Sequence, residues 1–369
     1  MTRRSRIVAL GLSLLVIAVA ALAVALSRDA VCPPGPLLPA GAVSMKAAVH
    51  RCYGPPDVVL VVDVAKPAVG DSDVLVKVRA ASLNPLDWHF IRGKPYLMRF
   101  AAGLGLPNDP RIGVDFSGTV EAVGVKVTRF KRGDDVFGGR TGALAEYLIA
   151  PERAMIPKPA GVTFEEAAAV PIAGVTALQA LRDKGHLQTG QKVLINGASG
   201  GVGTFAVQLA KSFGAEVTGV CSGKNVEMVR SIGADHVVDY TKDDFTRSGE
   251  RYDLIIDNVG NRSLTDLRRV LTPKGIAVIV GGGGAGEGPW IGALVTPIKA
   301  VVVSPFVSQT LTFFVASVNP ADLTTLAGMM ESGKLKPVID RRYPLSQAPA
   351  AIKYLEEGHA RGKVVITIE

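Results

Sequence analysis

The pattern of hydrophobic and polar residues sets the N-terminal stretch apart from the rest of the chain. Residues 7–26 form a run without a charged residue, and Arg3, Arg4 and Arg6 precede it. At ~1.5 Å per residue a helix over this run would be about 30 Å long, which matches the hydrocarbon core of a bilayer. The pattern predicts an N-terminal membrane anchor with its arginines on the cytoplasmic side, followed by a Pro-rich linker that ends at residue 44.

Two other interpretations of this stretch stay open. It could be a cleaved signal peptide, although its apolar run exceeds the ~7–15 residues that are usual for such a segment. Translation could also begin at Met45, and residues 1–44 would then be absent and the protein cytoplasmic. A retained helix implies attachment to a membrane through one N-terminal segment. The arginines favour a globular part outside the cytoplasm, but a nicotinamide cofactor is scarce there, so the side of the membrane stays open.

After Met45 the pattern changes twice. Up to about residue 165, short Val-rich runs such as DVLVKVRAAS alternate with turns that contain Gly and Pro, which is typical of compact, mostly β structure. A helical stretch over 164–185, broken at Pro171, then leads into strands that alternate with helical segments. This alternation predicts βαβ units and a parallel sheet. The tail continues as helix, strand, helix and strand.

A glycine-rich turn lies between the first of these strands and its helix. Residues 196–205, NGASGGVGTF, follow an apolar run. A helix N-terminus presents unpaired N–H groups and a partial positive charge, and glycine lets the backbone approach a diphosphate. The stretch therefore predicts a dinucleotide-binding turn made of Gly197, Ser199, Gly200, Gly201, Val202 and Gly203. Its first glycine departs from the GxGxxG spacing, and a plain strand–helix turn is the alternative.

The next strand indicates which dinucleotide is bound. An NAD site usually has Asp or Glu about 20 residues after the glycines, where it binds the ribose 2′-hydroxyl. Here the strand ends in Cys221-Ser222-Gly223-Lys224-Asn225, without a carboxylate. A hydroxyl and a lysine suit a 2′-phosphate, so the sequence favours NADP(H) over NAD(H), with Ser222, Lys224 and Asn225 as contacts. The alternative for Lys224 is an ordinary solvated lysine at a helix start.

Composition removes other classes of function. The 369 residues are 48% hydrophobic and 20% charged, and the formal net charge of +8 includes no basic run longer than two residues. This pattern indicates a mildly basic surface and no nucleic-acid-binding stripe. Three cysteines, Cys32, Cys52 and Cys221, and five histidines are scattered. Their positions argue against a disulfide framework and against a metal site built on local spacing.

Six ordered blocks resemble the medium-chain dehydrogenase/reductase superfamily, in its zinc-free, quinone oxidoreductase-like (zeta-crystallin-like) branch. The blocks are MKAAVHRCYGPPDVV, AASLNPLDWHFIRG, IGVDFSGTVEAVG, VPIAGVTALQAL, INGASGGVGTFAVQLAKSFGAEV and GHARGKVVI. The resemblance implies an α/β chain with a GroES-like, mostly-β catalytic domain (45–167 and 317–369) and an inserted Rossmann domain with a doubly wound parallel sheet (168–316). Residues 1–44 would be the anchor or signal segment and its linker. The cofactor is expected in the cleft between the two domains.

The resemblance implies a site without zinc. Zinc alcohol dehydrogenases have a Cys ligand before a Thr-Asp pair, and further ligands come from a Gly-His-Glu block. This chain has Asn84-Pro85-Leu86-Asp87 and Gly113-Val114-Asp115 at the matching places. Because Asn and Val are not ligands for catalytic zinc, no metal is expected.

The same blocks suggest roles for individual side chains. Asn84 is expected to line the substrate and nicotinamide side and to donate an amide N–H to the acceptor, with a turn-capping role as the alternative. Tyr53 could approach this pocket. Asp87 is expected to pair with backbone or with Arg92, and Asp115 is expected to be a buried, hydrogen-bonded carboxylate.

Further cofactor contacts follow from the resemblance. Thr176 would touch the nicotinamide or the phosphates, Tyr240 would lie near the adenosine end, and Lys363 would face the cofactor. The alternatives are a mid-helix hydroxyl for Thr176 and a surface lysine for Lys363. Strands would end at the cofactor edge of the sheet in Asn258, Gly281 and Gly282. Residues 288–314 are predicted to be a mobile lid or substrate flap that runs into an edge strand, which pairs across a homodimer in relatives. The alternative for this segment is ordinary packing.

Together these expectations describe an NADPH-dependent enzyme that transfers hydride to a quinone, an enone or a related carbonyl compound. Such acceptors accept hydride without a Lewis acid, because the charge delocalises onto their carbonyl oxygen. The alternative from another class is an NADPH-binding redox sensor or structural protein without turnover. The sequence names neither the substrate nor the proton donor.

Overall fold

We describe a computed structural model that covers residues 3–35, 38–281 and 288–369, with the backbone alone for residues 3–11 and for Ala293. Its helices are α1 (Arg3–Ser27), α2 (Pro85–Arg92), α3 (Arg99–Ala102), α4 (Phe164–Ala168), α5 (Pro171–Gln179), α6 (Gly201–Ser212), α7 (Val226–Ser231), α8 (Leu264–Arg269), α9 (Val295–Val303), α10 (Pro320–Glu331) and α11 (Ala348–Glu356). Its strands are β1 (Ser44–His50), β2 (Val59–Ala65), β3 (Asp73–Leu83), β4 (Asp115–Val123), β5 (Asp135–Gly139), β6 (Tyr147–Pro151), β7 (Met155–Pro157), β8 (Lys192–Asn196), β9 (Glu216–Cys221), β10 (His236–Asp239), β11 (Tyr252–Asp257), β12 (Leu271–Ile279), β13 (Thr310–Phe313), β14 (Ile339–Pro344) and β15 (Lys363–Thr367).

One sheet brings the end of the chain back to its first half. Its strand order is β14-β15-β3-β4-β5-β7, and β6 pairs with β3. β15 runs antiparallel to β3, with Val364 opposite Leu83, and both side chains lie in one apolar core with Phe116 and Ile366. β1 and β2 form a separate antiparallel ribbon. The strand-rich part is therefore assembled from two separate pieces of sequence, as the resemblance implies.

The second sheet is parallel and is buried on both faces. Its order is β10-β9-β8-β11-β12-β13, and each neighbouring pair runs parallel. The three apolar residues at 193–195 in β8 are fully buried, as a central parallel strand requires. The chain moves outward from β8 to β10 and then returns to β11 on the other side. The carboxyl ends of β8 and β11 therefore form the switch point at which ligands of such sheets bind.

The predicted helix break at Pro171 is present. α4 ends at Ala168 and α5 begins at Pro171, where the missing N–H of proline is not needed. α10, just after the predicted boundary at 317, packs Leu323 and Leu326 into the core that α5 and α6 share. β14 and β15 then join the strand-rich sheet.

The N-terminal helix bears on the predicted membrane anchor. The backbone of α1 is helical over 25 residues, and its side chains are described from Leu12 onward. Within that described part of the chain, we find no helix with the length and the apolar character needed to cross a membrane. The predicted membrane-spanning anchor is therefore not supported. The end of α1 packs on the protein body, where Leu26 is only 4% exposed.

The expectation that the cysteines stay unpaired needs correction. Cys32, in the linker, is disulfide-bonded to Cys52, and their Cα atoms lie 4.9 Å apart, a separation that suits a disulfide. The sequence spacing carried no signal for this pair, because tertiary contacts of the linker bring Cys32 back to the residues that follow β1. Cys221 is buried and free.

Candidate active site

The glycine-rich turn lies at the carboxyl end of β8, at the switch point of the parallel sheet. Gly197 has a φ of +77°, which glycine adopts without strain. A Cβ atom on Gly203 would collide with the carbonyl oxygen of Gly197, so glycine allows α6 to begin close to the turn. Gly200 is the N-cap of α6, and the first N–H groups of a helix have no acceptor within it. This arrangement suits a diphosphate.

Asn225 ties the turn to the end of β9. Its Nδ2 donates to the hydroxyl oxygens of Ser199 and Ser222, each at 3.1 Å, so three predicted cofactor residues are joined. The Oδ1 atom of Asn225 is buried and has no partner among the described residues, and the same holds for Oδ1 of Asn258. Nδ2 of Asn258 donates to the carbonyl oxygen of Asn196 at 3.0 Å. Two buried acceptors without donors at this edge fit the hydroxyl and amide donors of a dinucleotide.

The outer end of this edge carries Lys224 and Tyr240. They follow β9 and β10, which are neighbours in the sheet, and both side chains are exposed. Asp239 lies beside them, and its carboxylate accepts the N–H and the hydroxyl of Thr241 at 3.0 and 2.7 Å. These hydrogen bonds hold the pKa of Asp239 below its usual value. The edge thus presents a lysine, a tyrosine and a carboxylate that is already hydrogen-bonded.

The remaining predicted contacts lie on the same side of the sheet or outside the described residues. Thr176 is a buried residue of α5, and the N–H of Gly281 donates to the carbonyl oxygen of Asp257 at 3.0 Å. Gly282 lies outside the described residues. Asp257 itself was not predicted. Its Oδ1 accepts the N–H of Gly260 at 3.0 Å and shapes the turn after β11, and burial raises its pKa.

A buried polar cluster lies beside the glycine turn, where three distant segments meet. Asn84, Asp115 and Lys363 are each at most 3% exposed. Nζ of Lys363 donates to Oδ1 of Asn84 at 2.6 Å and to the carbonyl oxygen of Leu83 at 2.9 Å, and it lies 3.4 Å from Oδ2 of Asp115. A Cβ atom on Gly201 would lie 3.3 Å from Cδ of Lys363. The lysine therefore runs from the turn to Asn84 and is not a surface residue.

The cluster fixes the direction of the Asn84 amide. Its oxygen accepts from Lys363, and its Nδ2 donates to Oδ2 of Asp115 at 2.9 Å. Rotating the amide by 180° would set donor against donor and acceptor against acceptor. Asn84 also occupies the N-cap position of α2, where it forms a capping box with Asp87, so this residue serves the start of the helix as well as the cluster. Nδ2 makes one hydrogen bond within the described residues, so its second N–H has no acceptor among them.

Asp115 joins the two parts of the molecule. Its Oδ1 accepts the N–H of Ile172, in the first turn of α5, at 3.0 Å. Its Oδ2 also accepts the hydroxyl of Ser82 at 3.1 Å. Desolvation lowers the pKa of Lys363, and the charge of Asp115 opposes this shift. Asp115 is the buried, hydrogen-bonded carboxylate that the sequence suggests.

Asp87 supports Asn84 from the backbone side. Its Oδ2 accepts the N–H of Asn84 at 2.7 Å, whereas Arg92 is paired with Glu356 at 2.7 Å. Burial raises the pKa of the Asp87 carboxyl to about 7. Of the two partners suggested for Asp87, the structure has the backbone partner.

Tyr53 is held apart from this cluster. Its hydroxyl donates to the carbonyl oxygen of Gly103 at 2.8 Å, and its ring lies 4.2 Å from the guanidinium carbon of Arg99. Burial raises the pKa of the phenol. Among the described residues, no hydrogen bond joins Tyr53 to Asn84, Asp115 or Lys363. A buried arginine beside Tyr53 had no signal in the sequence pattern, since its partners come from remote segments.

The residues present do not fit a zinc ion. In the described ranges, no group of three or more His, Cys, Asp and Glu residues is arranged to hold a metal ion. The oxygens of Asn84 and Asp115 already face the ammonium group of Lys363. Catalytic zinc instead takes Cys, His or carboxylate ligands in a tetrahedral set with an open position.

The segment that follows β12 reaches across to the strand-rich part. The N–H of Tyr96 donates to the carbonyl oxygen of Pro289 at 2.8 Å. The ring of Tyr96 meets the ring of Trp290 edge-on, with centroids 5.2 Å apart. The predicted flap therefore contains α9 and contacts the loop that follows α2.

A surface groove of about 740 Å³ lies outside the turn and the cluster, although the carbonyl oxygen of Val338 in its lining accepts the backbone N–H of Lys363 at 2.8 Å. It is lined by the side of α6, the end of α7 and residues 333–338. Lys211 in this groove is paired with Asp235 at 2.8 Å. None of the predicted site residues lines it, so it has no part in the candidate active site.

Comparisons with known proteins find similar sequences and folds over most of the chain. The family described as "Alcohol dehydrogenase GroES-like domain" matches residues 70–160, and the family described as "Zinc-binding dehydrogenase" matches residues 232–366. The chain is 36% identical over 338 residues to a "2-methylene-furan-3-one reductase" of Solanum lycopersicum, covering 87% of this chain and 79% of the relative. It is 35% identical over 322 residues to a "Chloroplast envelope quinone oxidoreductase homolog" of Arabidopsis thaliana, covering 83% and 92%. The solved quinone oxidoreductase of Coxiella burnetii superposes with a TM-score of 0.79 at 31% identity, over 89% of this chain and all of that one.

The buried pair of Lys363 and Asp115 generates a stability prediction. Lys363→Met leaves the Asp115 carboxylate buried without its cation, so chemical denaturation should show a loss of about 3–5 kcal/mol in unfolding free energy. The double variant with Asp115→Asn should recover part of this loss, since it leaves neither charge buried. Lys274→Met, at an exposed lysine of β12, is the control. A Lys363→Met variant as stable as this control would contradict the arrangement.

The raised pKa of Asp87 generates a pH prediction. Between the ordinary value of 3.8 and about 7, the carboxyl holds a proton in the folded chain and loses it in the unfolded chain. This contribution to stability is full below pH ~4, falls as the pH rises to ~7, and changes little above that. Asp87→Asn keeps an acceptor oxygen but does not titrate. Urea unfolding from pH 5 to 8 should show wild type losing stability relative to Asp87→Asn, by up to about 1.4 kcal/mol per pH unit. A difference in unfolding free energy between wild type and Asp87→Asn that stays constant from pH 5 to 8 would refute the raised pKa of Asp87.

Proposed function

The chain belongs to the medium-chain dehydrogenase/reductase superfamily, in its zeta-crystallin-like, quinone oxidoreductase branch, and from this we propose that it carries hydride from NADPH to a quinone, an enone or a related carbonyl compound without a metal ion. The observation that carries the proposal is the buried cluster in which Lys363 joins Asn84 beside the glycine turn. The cluster takes the place of a metal site, and it leaves one amide N–H for an acceptor.

Different residues at the carboxyl edge of the parallel sheet would bind different parts of the dinucleotide. When bound, the reduced nicotinamide supplies the hydride. We assign the diphosphate to the amides of Gly201, Val202 and Gly203 at the start of α6, where the helix field favours phosphate. Thr176 and Lys363 would border the nicotinamide end, and the two buried Asn acceptors would receive donors of the dinucleotide.

The adenosine end supports NADPH over NADH. No carboxylate follows β9 to accept a ribose 2′-hydroxyl, and Lys224 and Tyr240 stand exposed at the place where a 2′-phosphate would lie. Asp239 is the nearby carboxylate that could repel this phosphate. The Asp239 carboxylate already accepts the hydroxyl of Thr241, and Nζ of Lys242 lies 3.8 Å from it. Lys224 and Lys242 can therefore offset the negative charge of Asp239.

Asn84 would stabilise the charge that forms on the acceptor. Hydride adds to an acceptor carbon, and negative charge grows on the acceptor's carbonyl oxygen, to which the second N–H of Asn84 donates. The ammonium of Lys363 bonds the amide oxygen and draws electron density from it, which makes that N–H a stronger donor. Water would supply the proton, since the protons of Lys363 are engaged in the cluster. Asn84 and Lys363 thus act as one unit.

The edge strand supports the proposal of a homodimer. β13 ends the parallel sheet and pairs only with β12 among the described strands. An edge strand presents free backbone groups to a second chain. Sedimentation measurements on the full chain would test this assembly.

Asn84 is tested by removing its donors. Asn84→Leu has a similar size and no N–H, so kcat for NADPH oxidation by a panel of quinones and enones should fall by about 10²–10³. The dissociation constant for NADPH should stay within about threefold of the wild-type value, because the glycine turn and the residues at the adenosine end are unchanged. A variant that keeps more than half of the wild-type kcat would contradict the role. Tight NADPH binding by wild type with no oxidation by any acceptor would instead favour the redox sensor.

Cofactor preference is tested at Lys224. Lys224→Glu places a negative charge beside the proposed 2′-phosphate, so kcat/KM for NADPH should fall by about tenfold or more, equivalent to ~1.4 kcal/mol. The value for NADH should change little. Lys274→Glu carries the same charge change at an exposed site on β12 and should leave both values unaltered. Equal losses with NADPH and NADH would rule out a 2′-phosphate contact.

A further inference from the structure

We propose that residues 26–32, which precede the catalytic domain, position the acceptor side of the site by completing the bonding of Arg99, and that the Cys32–Cys52 disulfide makes this docking depend on redox state. The kinetic part of this inference rests on the proposed function. The docking itself is independent of any activity.

Arg99 is a fully buried cation whose partners come largely from the N-terminal segment. Its Nη1 donates to the carbonyl oxygens of Leu26 and Arg28 at 3.0 and 3.3 Å, and its Nη2 donates to Oδ1 of Asp29 at 2.7 Å. Its Nε donates to the carbonyl oxygen of Gly93 at 2.8 Å. Among the described residues, Asp29 is the carboxylate paired with it. Without residues 26–29 the guanidinium would lose its carboxylate partner and two of its carbonyl acceptors, and the removal of one partner from a buried ion pair is costly.

Arg99 in turn organises the loop that faces the flap. Its guanidinium carbon lies 4.2 Å from the ring centre of Tyr53 and 4.7 Å from that of Tyr96, within range of a cation–π contact. Tyr96 carries the contact onward to Pro289 and Trp290 in the flap. A continuous set of contacts therefore runs from the N-terminal segment through Arg99 and Tyr96 to Pro289 and Trp290 at the start of the predicted flap.

The disulfide holds this segment in place. Cys32 is bonded to Cys52, the neighbour of Tyr53, and the N–H of Ala30 donates to the carbonyl oxygen of Gly105 at 3.2 Å. The covalent link keeps residues 26–30 at high local concentration beside Arg99. A dithiol reductant breaks the one S–S bond, adds two electrons and two protons to give two thiols, and becomes a disulfide itself. Docking then depends on non-covalent contacts alone, and Asp29 is more than half exposed.

Release should affect the acceptor more than the cofactor. Undocking removes three hydrogen bonds of Arg99 and its counter-ion, so the 93–105 loop and its contact with Trp290 would lose their support. Apart from hydrogen bonds within α1, residues 26–32 bond the 93–105 loop and Cys52, and none of these bonds among the described residues reaches the glycine turn or the Asn84 cluster. Arg99 is therefore a positioning residue, and its loss should raise KM for the acceptor while KM for NADPH and kcat change little.

The structural test is limited trypsin digestion of the full chain, with cleavage after Arg28 followed by mass spectrometry. The carbonyl group of Arg28 is bonded to Arg99, so cleavage should be slow in the oxidised protein and at least about fivefold faster after dithiothreitol. Cys32→Ser should show the fast rate without reductant. Cleavage that is equally fast, or equally slow, in all three samples would overturn the proposal, whether or not any acceptor is turned over.

The kinetic test compares variants with and without dithiothreitol. Reduced wild type, Cys32→Ser and Arg99→Met should each show about a tenfold rise in acceptor KM, and Arg99→Lys should recover part of it. The KM of Cys32→Ser and of Arg99→Met should not change further when the reductant is added. Arg132→Met is the control, because Arg132 is largely exposed and its one ion pair, with Glu121, spans 3.7 Å. If Arg99→Met leaves the acceptor KM unchanged while trypsin cleavage still depends on redox state, the positioning role of Arg99 is wrong. The disulfide would then only attach the N-terminal segment to the catalytic domain.

Discussion

The burial of one ammonium group is the constraint on which the site depends. Lys363 is almost wholly removed from water, and a buried ammonium needs an acceptor for each N–H and a nearby negative charge. Asn84, Leu83 and Asp115 supply them. Satisfying this lysine requires β15 to lie beside β3, and Asp115 extends the same network to α5. The two sheets are therefore held together at the place where cofactor and acceptor are proposed to meet.

The same constraint explains how a chain whose described residues offer no set of zinc ligands could activate a carbonyl compound. A metal ion would polarise the acceptor directly, whereas in the proposed mechanism the lysine polarises an amide and the amide donates to the acceptor. The glycine turn sets the position of this unit, since the Lys363 stem passes Gly201. Cofactor and acceptor would then be aligned by one network, which is how positioning lowers the barrier to hydride transfer.

Local sequence patterns were enough to predict the helices, strands and turns, but they did not predict the contacts between distant elements. The strand–turn–helix at 196–205, the break at Pro171 and the parallel βαβ units follow from apolar spacing, glycine and proline, which act over a few residues. The bond between Lys363 and Asn84 spans 279 positions, and no local pattern encodes it. The Cys32–Cys52 disulfide and the burial of Arg99 were not predicted for the same reason, because folding brings their partners together from separate segments. The resemblance placed Asn84 and Lys363 near the cofactor, but the link between them is visible only in three dimensions.

The most direct test of the account is a crystal structure of the chain with NADPH and an enone that the enzyme reduces very slowly. The account predicts the diphosphate on the amides at the start of α6, the enone oxygen about 2.9 Å from Nδ2 of Asn84, and Nζ of Lys363 still on Oδ1 of Asn84. An enone oxygen bound by another group, or a Lys363 side chain turned away from Asn84 in the complex, would contradict it.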